Sequence, residues 1–176
     1  MSDESDSENR RRELIAEIVA AFEGVAREEG TTIHEAIAKD DWKTYEEQQA
    51  AKRLDTEERW QDVPEEELMA THSAPSFLDE KGFRYYLPAY MVCELANWDD
   101  PDSNTASCEF RLLHESQRSL RKSEPASIAA KYDFTPAQGE AIAHYLRFAI
   151  GEDDEFTTHE ATILRAVEKW ENFVGE

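Results

Sequence analysis

The sequence predicts an α+β fold, predominantly α-helical, in which helices pack around one short β-hairpin. Three observations lead there. Apolar residues recur at intervals of three and four through most of the chain. Several of these stretches open on a capping residue followed three positions later by Glu. Finally, two aromatic-rich runs, Ser76-Phe77-Leu78 and Phe83-Arg84-Tyr85-Tyr86-Leu87, flank the polar connection Asp79-Glu80-Lys81-Gly82, which reads as a hairpin turn.

Residues 1–9 are mostly Ser, Asp and Glu and read as a disordered acidic leader, with a single globular domain over residues 10–176. From Arg10 onward Leu14, Ile18, Phe22 and Val25 form a helical stripe that Gly30 can end. Thr32-Ile33-His34-Glu35 has capping-box spacing and opens a second helix, which Asp40-Asp41 interrupts before a polar helix from Tyr45 to Arg53. Thr56 to Trp60 reads as a helical turn. Asp62-Val63-Pro64-Glu65 starts a helix that runs to about Thr71, and Ser73-Ala74-Pro75 breaks it. After the hairpin, Pro88 starts a helix with Met91, Leu95 and Trp98 on one face. Asp99 to Ser107 is loop, Cys108 to Leu113 reads as helix, and Thr135-Pro136 caps a helix carrying Ile142, Tyr145, Leu146 and Ala149. A last helix begins at Thr157 and carries Ile163, Val167, Trp170 and Val174.

Composition narrows the function. Forty Asp and Glu against nineteen Lys and Arg give a formal charge of −21. Such a surface repels phosphate backbones and anionic lipid, so nucleic acid and membrane are excluded as partners. A basic protein would be attracted, at a rate that depends on salt. No apolar run is long enough to cross a bilayer and the N-terminus lacks a secretory signal, so a soluble, cytoplasmic protein is expected. Cys93 and Cys108 lack the spacing of a metal or redox pair.

Motifs for chemistry are missing. The histidines 34, 72, 114, 144 and 159 form no HExxH and lie near no cysteine pair, so no metal is expected. Asp40-Asp41 and Asp153-Asp154 read as solvated acids. With six glycines there is no GxSxG, GxGxxG or phosphate loop, and no cofactor is expected. The segment with most to offer is Gly82 to Tyr90, where alternation places Arg84 and Tyr86 on one face of a strand. A guanidinium beside a phenol can stack or bind a carboxylate. The candidate binding residues are therefore Arg84, Tyr86 and Tyr90, with Asp62 and Trp60 upstream.

Trp60-Gln61-Asp62-Val63-Pro64, Ser76-Phe77-Leu78-Asp79 and Gly82-Phe83-Arg84-Tyr85-Tyr86-Leu87-Pro88-Ala89-Tyr90-Met91 resemble the pattern of a bacterial family of small proteins of unknown function, with a W-x-[DE]-[IV] element ahead of GFR[FY]YLPAYM. Phe134-Thr135-Pro136-Ala137-Gln138 and Trp170 extend the likeness over about residues 20–172. The resemblance implies one complete domain and brings no activity with it. The function expected is that of a non-enzymatic acidic interaction protein, for example an immunity-like protein binding a basic partner. The alternative is an enzyme whose site assembles near residues 82–90 from Tyr85 or Tyr86, Arg84, Asp62 and His144.

Overall fold

The computed structural model describes residues 2–98, 130–151, 168, 170 and 171. The chain divides into two compact units, one made of Met1–Glu23 with Leu112–Glu176 and the other of Gly24–Arg111. Among the described residues all regular structure is helical, and none of the helices is long and apolar enough to cross a membrane.

In the first unit, α1 (Ser2–Ala21) begins inside the acidic stretch read from the sequence as a leader. Leu14, Ile18 and Phe22 are buried, as their spacing requires. The helix ends at Ala21, with Gly24 in the left-handed region at φ 74°, and not at Gly30. It packs on a helix spanning Pro136–Gly151. Thr135 caps that helix: its Oγ1 accepts from Gln138 N–H, and its own N–H donates to Gln138 Oε1. Phe134 sits edge-on to both Phe22 and Trp170, with ring centroids 6.2 and 5.7 Å away. The helices expected at Cys108 and Thr157 lie outside the described residues; Trp170 is helical and buried.

The second unit contains α2 (Ile33–Asp40), α3 (Tyr45–Lys52), a 3₁₀ turn (Trp60–Asp62), α4 (Glu65–Ala70), a second 3₁₀ turn (Ala74–Ser76) and α5 (Glu80–Ala96). We number the Pro136–Gly151 helix α6. Thr32 is the expected cap of α2, and Thr44, which the sequence reading did not name, closes a full capping box with Glu47 at the start of α3. Thr56 caps no helix, and Pro64 takes the position before α4 that the sequence assigned to Asp62.

The β-hairpin does not exist. Residues 74–76 form the second 3₁₀ turn, and α5 runs unbroken through the aromatic segment and past Pro88. Two causes mislead the reading. Twelve of the seventeen residues in α5 are buried, and a helix buried nearly all round loses the polar stripe that marks it as a helix. Its aromatic, strand-favouring composition then dominates, although Phe83, Tyr86, Leu87, Tyr90 and Met91 do follow helical spacing. The second cause is Asp79-Glu80-Lys81-Gly82. Asp79 is the N-cap of α5, and its Oδ1 accepts from Gly82 N–H (2.7 Å) and from Thr31 N–H (3.0 Å). Gly82 is needed for close approach: a Cβ there would stand 2.2 Å from the Thr31 carbonyl oxygen. Pro88 cannot donate a backbone hydrogen bond in the helix interior, at a cost of about 3 kcal/mol that the burial around it must offset.

Candidate functional site

Tyr85 and Tyr86 are adjacent on α5, so their rings leave the helix about 100° apart, yet both hydroxyls reach the segment between α3 and the first 3₁₀ turn. Tyr86 Oη donates to Glu57 Oε1 at 2.7 Å, and Tyr85 Oη to the Glu57 carbonyl at 3.4 Å. Their rings meet edge to face with centroids 4.8 Å apart. Arg27, from the loop between Gly24 and α2, completes the cluster. Its Nη1 donates to Glu57 Oε1 and Tyr86 Oη, both at 2.9 Å, and its Nη2 to the Asp55 carbonyl at 3.0 Å. The guanidinium lies 5.7 Å from the Tyr85 ring centre. Burial, with the charge of Glu57 next, pushes the Tyr85 phenol up to about 12. Burial, the hydrogen bond to Glu57 and the charge of Asp55 push Tyr86 up further. Both phenols therefore stay protonated at neutral pH and act as donors, not bases.

Beside this cluster, Asp55 is wholly buried and holds His34 at two points. His34 N–H donates to Asp55 Oδ2 (3.2 Å), and ring Nδ1 lies 2.7 Å from Oδ1. His34 is the second residue of α2 and its side chain is about a quarter exposed (29%). The carboxylate of Glu67, in the first turn of α4, comes within 4.8 Å of ligand atoms on both residues. Three elements thus bring together an imidazole and two carboxylates.

The exposed features lie elsewhere in the unit. Trp42 is 95% exposed with φ 55°, a left-handed conformation disfavoured for a bulky side chain. Tyr45 and Leu54 are also exposed. Between them α3 buries none of its residues.

The model of a family of unknown function, DUF6714, matches residues 10–173. The chain belongs to that family. No curated protein and no solved structure matches it.

On the DUF6714 fold the residues singled out from the sequence separate. Tyr86 and Tyr85 join the Arg27 cluster. Tyr90 is buried away from it, its hydroxyl donating to the Thr71 carbonyl and paired with Thr71 Oγ1, each at 2.9 Å. Trp60 is buried in the first 3₁₀ turn, where Asp62 is exposed; the Asp62 charge adds to the field that raises Tyr85. Arg84 is half-buried, and its charge helps to hold the Glu28 carboxyl down, after the hydrogen bond and charge of Lys81. His144 belongs to the other unit, on α6, where its Nδ1 lies 2.8 Å from Glu17 Oε1.

The sequence reading does not single out Arg27, Asp55, Glu57 or Glu67, and it sets His34 aside with the other histidines for want of ligand spacing. Asp55 and Glu57 sit in an acidic chain where any one carboxylate carries little signal. Arg27 reaches Tyr86 across 59 residues, a separation no local pattern encodes.

The first unit also has an open cleft of about 330 Å³ between α1 and α6, lined by Arg10, Leu14, Glu17, His144, Arg147 and Phe148 among others. Two of its side chains are already paired, His144 with Glu17 and Arg147 with Glu171 at 2.5 Å.

Proposed function

We propose that the protein is a non-enzymatic interaction protein that docks a basic protein partner through the α2–α3 turn and the outer face of α3. The observation that carries the reading is Trp42. A left-handed backbone at a non-glycine residue costs about 1 kcal/mol or more, and here it presents an indole to water. A tryptophan is an expensive residue to leave there unless it fills a partner's pocket, the commonest role of tryptophan at the centre of interfaces. Tyr45 and Leu54 add exposed apolar surface around a helix that buries nothing of its own. The charge of −21 selects a cationic partner and speeds its encounter at low salt.

The hydroxyls of Tyr86 and Tyr90 are occupied inside the fold, which supports a structural role for both and weakens the enzyme alternative near residues 82–90. We read the GFRYYLPAYM run as the family's hallmark for the same reason, since it forms the buried helix. A bacterial, cytoplasmic setting belongs to the reading.

The test is a selection of peptides from an unbiased display library on the wild-type protein, followed by titration of the recovered sequences against Trp42→Ala. The reading expects ligands rich in Lys and Arg around an apolar anchor, bound at least tenfold more weakly by the variant. Recovery of no ligand, or of ligands indifferent to Trp42, would sink it.

A further inference from the structure

The cluster of His34, Asp55 and Glu67 carries an inference the sequence argues against. We propose that these three residues form a site for a first-row divalent cation, zinc or manganese. The site is distinct from the α3 docking face.

Its chemistry follows from the donors. One imidazole and two carboxylates make a mixed nitrogen and oxygen set, which suits zinc and manganese and leaves further positions for water. The three side chains come from α2, from the segment between α3 and the first 3₁₀ turn, and from α4. No HExxH-like spacing could have announced them. Ligands about 2.1 Å from a tetrahedral ion lie about 3.4 Å from one another. The ligand atoms here already stand within 4.8 Å of each other. Bringing the ligand atoms to that spacing needs shifts on the order of 1 Å.

Electrostatics points the same way. Asp55 is a wholly buried carboxylate facing a neutral or protonated imidazole. Glu67 brings a second negative charge to the same place. The guanidinium of Arg27 is committed to Glu57, Tyr86 and the carbonyl of Asp55. A divalent cation offsets the charge of the two carboxylates, one of them buried. On binding, the cation replaces the proton shared between His34 Nδ1 and Asp55 Oδ1. The ring nitrogen and a carboxylate oxygen each then donate a lone pair to the metal, and a neutral ring keeps its single proton on Nε2.

A bland account competes with this one: Asp55 simply anchors His34 at the start of α2, and Glu67 is a helix-start acid. Calorimetric titration of the full chain with zinc chloride and with manganese chloride, in magnesium-containing buffer, separates the two. The wild type is expected to bind one ion saturably, and to melt at a higher temperature with the ion present. Glu67→Gln removes one ligand and leaves the Asp55–His34 hydrogen bond intact, and is expected to bind at least tenfold more weakly; His34→Gln should lose more. If His34→Gln fails to fold, Glu67→Gln decides alone. Absence of saturable binding by the wild type overturns the proposal. So does equal one-to-one binding by Glu67→Gln, which would place the ion among the chain's other acids.

Discussion

Replacing Asp79 by Ala discriminates between the helix that exists and the hairpin that the sequence suggested. In a hairpin turn Asp79 would be an exposed residue worth a few tenths of a kcal/mol. In the structure its Oδ1 accepts two backbone N–H groups, one from Gly82 at the start of α5 and one from Thr31 in the loop before α2. Loss of an N-cap costs about 1 kcal/mol. Thr31 is 3% exposed, so its N–H loses its acceptor where water cannot readily replace it, for about 1–3 kcal/mol more. Asp79→Ala should therefore destabilise by about 2–4 kcal/mol, read by urea unfolding with an unchanged slope. Asp79→Asn keeps an acceptor oxygen without the charge and should lose about 1 kcal/mol or less.

The pH dependence supplies a second reading of the same residue. Burial pushes the Asp79 carboxyl up, but the N–H groups of Gly82 and Thr31, the Thr31 hydroxyl and the charge of Lys39 outweigh it, and the net shift is downward. A carboxyl lowered by folding stabilises above its unfolded value of about 3.9, and that contribution disappears as pH falls through the lower folded value. The stability gap between wild type and Asp79→Asn should be constant from pH 7 to about pH 5 and shrink below about pH 4. An Asp79→Ala cost under about 0.5 kcal/mol, or a gap that does not shrink in acid, would refute the capping assignment.

Three further outcomes are expected. Tyr86→Phe deletes a hydroxyl that donates to Glu57 and accepts from Arg27 while leaving their ion pair in place, so a loss of about 1–2 kcal/mol by urea unfolding is expected. Trp42→Gly relieves the left-handed strain and should raise stability by about 0.5–1 kcal/mol while abolishing peptide capture, a separation of stability from function that thermal unfolding and titration would display together. Cys93 is 4% exposed and its thiol is pushed up to about 11 by burial and then by the charge of Glu65. It should therefore resist thiol reagents at pH 7.5 in the native protein and react on unfolding.

What was legible in the sequence was what local chemistry controls. Thr32 and Thr135 cap helices because their hydroxyls sit three residues before a backbone N–H they can reach. The stripe of Leu14, Ile18 and Phe22 was visible because α1 keeps a polar face. Legibility failed where burial was most complete. In α5 the absence of a polar face removed the period, and Asp79 with Gly82 imitated a turn because an N-cap and a turn call on the same two residue types. The polar cluster failed for another reason. Its members lie on three stretches of chain, and only folding gives Arg27, Asp55, Glu57 and Tyr86 a common address.

That separation bears on where function can reside. A buried polar network specifies a unit most effectively when every member is satisfied, and it then has little left to offer a ligand. Tyr86 and Arg27 meet that description, with their hydrogen bonds turned inward. Two features do not. Trp42 meets water on a strained backbone, and Glu67 brings its charge to a buried Asp55 beside a partly exposed imidazole. Departures from local consistency that persist in a folded domain are where function is expected to concentrate, because each needs a compensating gain. The two departures call for different ligands, an apolar pocket with a basic rim for the indole and a divalent cation for the carboxylates. Trp42→Ala should therefore leave metal affinity unchanged, and Glu67→Gln should leave peptide binding unchanged. Coupling between them in a double-mutant cycle would mean that the two sites are one.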